Sequence, residues 1–123
     1  MQKSEWDQAI ADYTEAIRAE PKNAEAYGNR GLCYDIKRDV GKAMGDLTEA
    51  IRLDPKRPEY RVNRGCLYGE KRELDKAMQD LNEAIRLDPK CALAFVHRAH
   101  AYRALGDEAK AASDEKMAHE LQK

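Results

Sequence analysis

The strongest constraint on the fold of this chain is a sequence that returns every 34 residues. The segment DLTEAIRLDPK at 46–56 recurs as DLNEAIRLDPK at 80–90, and a related segment, DYTEAIRAEPK, stands at 12–22. A period of this length indicates a repeat architecture, in which each unit stacks on its neighbours because it cannot bury its apolar faces alone.

Each unit has the pattern of two helices. The second helix carries apolar residues at i, i+4, i+7 and i+8, which in one unit are Ala43, Leu47, Ala50 and Ile51. Asp54-Pro55 then ends it, because proline disfavours helical geometry in the residue before it. The first unit begins in its second helix, so we expect seven helices, an orphan followed by three hairpins. The predicted units are 4–22, 23–56, 57–90 and 91–123.

Small and aromatic residues at fixed places in these units resemble the tetratricopeptide repeat. That family's unit carries an aromatic residue, a Leu-Gly pair, a tyrosine, two alanines around a bulky residue, and a closing proline. The second unit supplies Tyr27, Arg30-Gly31, Tyr34, Ala43, Leu47, Ala50 and Pro55. The resemblance implies a single all-α domain over 1–123, an α-α right-handed superhelix whose first helices line a concave groove.

Composition excludes several classes of function. Charged residues make up 37% of the chain, yet the formal net charge is only −1, so there is no basic footprint for nucleic acid. No apolar run approaches the length of a membrane span. No catalytic motif, phosphate loop or paired CxxC spacing is present. We therefore expect a cytoplasmic, non-enzymatic protein with no cofactor, and with neither nucleic acid nor membrane as a partner.

One trio of side chains could in principle bind zinc. His97 and His100 lie one helical turn apart, and Cys66 is placed to face them from the preceding hairpin. No fourth ligand is evident. We therefore expect polar lining rather than a metal site.

The resemblance also implies where a partner would bind. The residue two before the glycine faces the groove in this family, which selects Asn29, Asn63 and, in the last unit, His97. An asparagine amide both donates and accepts, so it can hold the backbone of an extended peptide; the alternative is an asparagine that merely tolerates a solvated face. The predicted groove residues are Asn29, Val62, Asn63, Val96, His97, His100 and Arg103.

A known family activity, the clamp that grips the C-terminal carboxylate of chaperones, matches poorly. Its lysine, asparagine and arginine places fall on Gly28, Leu32, Asn63, Leu93 and His97, and only Asn63 agrees. The apolar residues at these places predict a groove with apolar patches instead.

Arginine stands at the family's leucine place in all three full units, as Arg30, Arg64 and Arg98. Such residues could align charges for an acidic partner. They could instead lay their stems on the adjacent hairpin and pair with nearby acids. We favour the second interpretation because acids are abundant in this chain.

The orphan first helix lacks the partner that would cover its apolar face, formed by Trp6, Ile10, Tyr13 and Ile17. Two explanations, compatible with each other, account for this: the chain is a fragment of a longer array, or another chain covers this face by dimerisation or helix exchange. The leading hypothesis for function is a scaffold that binds a peptide or protein segment. The alternatives are a self-assembly module that uses the orphan helix, and a regulatory or targeting domain of a larger protein.

Overall fold

The computed structural model describes the backbone of residues 3–123 and the side chains from residue 5 onward. These residues form seven α-helices joined by turns: α1 Lys3–Ala19, α2 Ala24–Ile36, α3 Val40–Leu53, α4 Pro58–Glu70, α5 Leu74–Leu87, α6 Ala92–Ala104 and α7 Glu108–Leu121. The predicted all-α class and the number of helices are confirmed.

The helices pair as the repeat pattern predicts. The extensive contacts join α2 with α3, α4 with α5, and α6 with α7, while α1 packs on α2 and α5 packs on α6. An orphan helix followed by three hairpins is therefore confirmed. The helices fall into two compact units, α1 to α3 in the part that ends at Pro55 and α4 to α7 in Lys56–Lys123.

Close backbone approach explains why each hairpin has small residues at its centre. A methyl group added at Gly65 would lie 3.0 Å from Leu81 Cγ, and one at Gly31 would lie 3.3 Å from the carbonyl oxygen of Ala43. Ala43 and Ala77, on the facing helices, have no exposed surface. Small residues on both helices therefore let the two backbones meet.

The turn inside each hairpin uses a left-handed residue. Arg38 has φ 67°, Arg72 has φ 64° and Gly106 has φ 85°, all at the same place in the repeat. In the first of these turns the amide of Asp39 donates to the carbonyl of Tyr34 at 2.8 Å, and the Asp39 carboxylate then caps α3 by accepting from Lys42 N–H at 3.2 Å. A single left-handed residue thus ends one helix and starts the next.

Candidate functional site

The repeated arginines form partly buried ion pairs inside their own hairpins. Each guanidinium donates from Nε and Nη2 to the two carboxylate oxygens of an aspartate 16 residues later, and every distance is 2.8 Å. The pairs are Arg30–Asp46, Arg64–Asp80 and Arg98–Asp114. All three aspartates are buried. Bidentate geometry of this kind is among the strongest hydrogen bonding that side chains make.

Two of these guanidinium groups make further contacts. Arg30 donates from Nη1 to Thr14 Oγ1 on α1 at 3.1 Å, and Arg98 donates from Nη1 to Asn82 Oδ1 on α5 at 3.0 Å. The Tyr27 and Tyr34 rings lie 5.6 and 5.7 Å from the Arg30 guanidinium carbon. The hydrogen bond to Asp46 is the main cause that raises the pKa of Arg30.

These contacts confirm the structural interpretation of the arginines. Each one joins the two helices of its own hairpin. Arg30 and Arg98 also bind the helix that precedes their hairpin, through Thr14 and Asn82. The sequence predicted pairing with acids but did not identify the aspartates. The available signal was their own 34-residue period at Asp46, Asp80 and Asp114.

The compact unit Lys56–Lys123 contains a cavity of about 330 Å³ between α4 and α6. Cys66 and Gly69 line it from α4, His97 and His100 from α6, and Leu81 from α5. The two imidazole rings meet edge to face, with centroids 6.0 Å apart and planes at 77°. The structure thus brings together the histidines that the sequence selected, beside a cavity large enough for a side chain.

His97 is the more enclosed of the two histidines. Burial lowers the pKa of His97 below its usual value of 6.5, and the charge of His100 lowers it further. The His97 ring is therefore neutral at pH 7 and offers one hydrogen-bond donor and one acceptor beside the cavity.

The compact unit that ends at Pro55 presents a strip of polar and apolar side chains along α2. Asn29 is partly exposed, while Leu32 and Ile36 are 38% and 50% exposed. Their spacing of three and four residues places all three on one face of the helix. The predicted site did not include Ile36, although its position four residues after Leu32 was a usable signal.

The structure corrects one predicted groove residue. Val62 is 3% exposed and lies in a core cluster with Ala84 of α5 and Ala94 of α6, so it is not available to a partner. The physical reason is that this face of α4 turns toward α5 and the start of α6. Helical spacing alone does not distinguish such a face from a groove.

The other predicted groove residues remain accessible. Asn63 and Val96 are partly exposed. Arg103 is exposed but already paired, because its guanidinium donates to Glu108 at 2.8 Å and to Glu115 at 2.6 Å. A partner that used Arg103 would have to compete with two carboxylates of α7.

The predicted oligomerisation face on α1 is partly covered. Its four apolar residues are each of intermediate exposure, since α1 packs on α2. They are Trp6, Ile10, Tyr13 and Ile17. An ion pair between Asp7 and Lys37 adds a polar contact between α1 and the end of α2.

Two observations bear on other classes of site. Across residues 5–123, no group of three His, Cys, Asp or Glu side chains is placed to hold a metal ion, the trio of Cys66, His97 and His100 included. None of the seven helices within residues 3–123 combines the length and apolar character that crossing a membrane requires.

Comparison with known families and structures agrees with the geometry. Residues 1–58 and residues 58–91 each match the family described as "Tetratricopeptide repeat". The fold is similar to that of MamA, at 24% identity and a TM-score of 0.87, over 97% of this chain and 70% of that one.

Two tetratricopeptide domains are similar at slightly higher identity. The Arabidopsis OM64 domain is 28% identical with a TM-score of 0.77, over 80% of this chain and 81% of that one. The second such domain of Spaghetti (RPAP3), solved with the HSP90 peptide SRMEEVD, is 25% identical with a TM-score of 0.78, over 83% of this chain and 95% of that one.

Proposed function

Because this chain belongs to the tetratricopeptide repeat family, we propose that it is a non-catalytic scaffold that binds a segment of another protein. The proposal covers residues 1–123 as one repeat domain. The observation that carries it is the surface of the first helices, where exposed apolar side chains stand beside groups that both donate and accept hydrogen bonds. The peptide-bound Spaghetti domain, similar in fold and sequence, supports it.

Two surfaces are the candidates for partner contact. On α2, Leu32 and Ile36 supply apolar area and Asn29 supplies an amide. Between α4 and α6, the cavity beside His97 and His100 accepts a side chain. A partner would gain affinity by burying apolar area on these helices and by hydrogen bonding its backbone to the amide and imidazole groups.

The ligand that fits best is an apolar segment rather than a C-terminal carboxylate. The clamp positions hold Gly28, Leu32 and Leu93 in place of cationic or amide side chains. Gly28 is buried, whereas Leu93 is 59% exposed. We therefore propose a partner with apolar anchors, and not the HSP90 peptide bound by the Spaghetti domain. A cytoplasmic location stays a prediction from the sequence.

The test begins with a native pull-down followed by crosslinking mass spectrometry, which identifies the partner and the helices that it meets. We expect crosslinks to α2, α4 and α6. Leu32→Glu should weaken binding about tenfold or more, because a charge then meets the partner's apolar surface. Met117→Glu, at a site on α7 with similar exposure, is the matched control and should bind normally.

The asparagine hypothesis has its own test. Asn29→Ala combined with Asn63→Ala should weaken binding of the identified partner while leaving the helical content unchanged. Unaltered affinity in this double variant would contradict the role of the asparagines. Crosslinks confined to α3 and α5 would contradict the proposed surfaces altogether.

A further inference from the structure

The cavity between α4 and α6 is bordered by a glycine that the fold itself does not require. Gly69 lines the cavity and stands where the neighbouring repeats have Asp35 and Arg103. It lies inside α4 with a right-handed backbone, and a methyl group added there would meet nothing within 4 Å. Glycine weakens a helix relative to alanine, and neither backbone conformation nor close packing demands it here. What Gly69 provides is open space.

The inner side of this cavity is apolar and formed by small or buried residues. Ala77 and Leu81 of α5 and Ala101 of α6 line it, and all three are buried. Its volume of about 330 Å³ lies at the lower end of the range of about 300–1,000 Å³ that is usual for ligand pockets. A single ring-sized group therefore fits, and its apolar body would be stabilised against these side chains.

One group beside the cavity has hydrogen-bonding capacity that the described part of the chain leaves unused. His97 lines the cavity and is partly exposed. Within residues 5–123 its ring contacts His100 edge to face, but takes part in no side-chain hydrogen bond. A neutral imidazole carries one donor and one acceptor. A ligand that supplies a partner for either nitrogen therefore gains a hydrogen bond at this place.

The charges around the cavity favour a neutral occupant. Glu70 and Arg72 line it with opposite charges, and both are exposed. A charged side chain would be attracted by one and repelled by the other, while losing hydration against Ala77 and Leu81. A tyrosine side chain avoids this cost, because its ring is apolar and its hydroxyl can donate to or accept from His97. Phenylalanine would leave the imidazole without a partner.

We propose that this cavity binds the side chain of a tyrosine in the partner's segment. The ring packs on Ala77 and Leu81, the hydroxyl forms a hydrogen bond with His97, and Gly69 leaves the room that the ring needs. This inference rests on the proposed function, to which it adds the residue type that the partner presents to α4 and α6.

The experiment uses the full chain and p-cresol, which is the tyrosine side chain as a free molecule, with toluene as the phenylalanine counterpart. Binding is followed by NMR through the imidazole signals of the histidines at pH 7.5. We expect p-cresol to saturate the site with a Kd of about 1 mM. Toluene should bind roughly tenfold more weakly, because it cannot form the hydrogen bond with His97.

Three variants separate space from hydrogen bonding. Gly69→Leu places a side chain in the cavity and should abolish binding of both molecules, with helical content unchanged because nothing lies within 4 Å of the added carbon. Gly41→Leu, at a helical glycine on α3 that is equally open, is the matched control and should bind normally. His97→Leu should remove the preference for p-cresol over toluene.

Equal binding of toluene and p-cresol, or unaltered binding to Gly69→Leu, would overturn the proposal. Once the partner is identified, replacing its crosslinked tyrosine by phenylalanine should weaken binding about tenfold to the unmodified chain but not to His97→Leu. Binding of p-cresol with partner crosslinks that avoid α4 and α6 would assign the cavity to a free phenol instead. The two proposals fail separately, since Leu32→Glu tests partner binding on α2 and p-cresol tests the cavity without any partner.

Discussion

At the scale of single residues, the repeated arginines have a different role in the structure from the one that the sequence first suggests. As a sequence feature it suggests a basic surface, whereas in the fold each guanidinium is bound to a buried aspartate and lies beside one or two aromatic rings. Sequence reasoning reached the correct class of role because acids were plentiful. It could not select Asp46, Asp80 and Asp114, since that choice depends on how two helices face each other across a turn.

Breaking one pair should destabilise the fold markedly. Arg98→Leu leaves the Asp114 carboxylate buried without its bidentate partner, so we expect a loss of about 2–4 kcal/mol in the free energy of unfolding, measured by urea denaturation. Arg64→Leu should be milder, because Arg61 lies 3.4 Å from Asp80 and can take over part of the pairing. Equal losses in the two variants would contradict this explanation.

A second variant separates the ion pair from packing. Arg98→Leu combined with Asp114→Leu removes both charges and should recover most of the lost stability, to within about 1 kcal/mol of the unmodified chain. Asp12→Asn, which alters the equivalent exposed carboxylate of α1, should change stability by no more than about 0.5 kcal/mol.

His97 should make stability depend on pH. Its pKa in the folded chain is lowered from 6.5, mainly by burial, so the unfolded chain binds a proton more readily as the pH falls through 6.5. The contribution is therefore fully present above that pH and is lost below it. We expect a lower urea midpoint at pH 5.5 than at pH 7.5. His97→Gln should reduce the difference, whereas His119→Gln, at an exposed site on α7, should preserve it.

At the scale of helices, the close approach of paired helices and the backbone conformation of the turns decide where substitutions are tolerated. The sequence predicted the helices and their small contact residues well, because a 34-residue period repeats the same packing in each unit. It did not predict the left-handed turn at Arg38, since arginine gives no local signal for positive φ. Val62 was assigned to the groove because a helical pattern shows which residues share a face, but not what covers that face.

The position of a glycine within a hairpin should determine the sign of its effect. Gly65→Val should cost roughly 1–3 kcal/mol, because the added carbons meet Leu81 in a filled contact. Gly45→Ala, in the interior of α3 with nothing within 4 Å of the added methyl group, should stabilise by about 0.5–1 kcal/mol. Thermal or urea unfolding of both variants provides the measurement. Stabilisation by Gly65→Val would show that the hairpin is loosely packed.

The left-handed turns should favour glycine over arginine. Arg38→Gly and Arg72→Gly should each stabilise by about 0.5–1 kcal/mol, because the relief of a strained φ exceeds the extra entropy of glycine in the unfolded chain. The reverse change, Gly106→Arg, should destabilise. Unfolding free energies that do not respond to any of the three changes would contradict the assigned backbone conformation.

At the scale of the whole molecule, the 34-residue period predicts the architecture, whereas function depends on the side chains that the repeats expose. A family resemblance could be derived from the sequence because Gly31, Tyr34 and Ala43 recur at fixed spacing. The exposed strip of Leu32 and Ile36 required the structure, since exposure depends on the neighbours of α2.

Protection from hydrogen exchange should reflect how many faces of each helix are covered. Within the compact unit that ends at Pro55, we expect the amides of α1 to exchange faster than those of α3. The reason is that Ala43, Asp46 and Ala50 of α3 are buried, whereas the corresponding residues of α1 are partly or fully exposed: Ala9, Asp12 and Ala16. Exchange measured by mass spectrometry on peptic fragments checks this. Equal protection of the two helices would indicate that Ala9, Asp12 and Ala16 are already covered.

The pairing of Arg64 with Asp80 has a consequence for how such a chain can lengthen. Both members of the pair lie within residues 57–90, together with the glycine and alanine that let their helices meet. Duplication of this segment would therefore copy both members of the ion pair and the small residues around it, with no compensating change needed elsewhere. A gene that encodes such repeats can therefore lengthen by whole repeats, because each new repeat already contains the ion pair that joins its two helices.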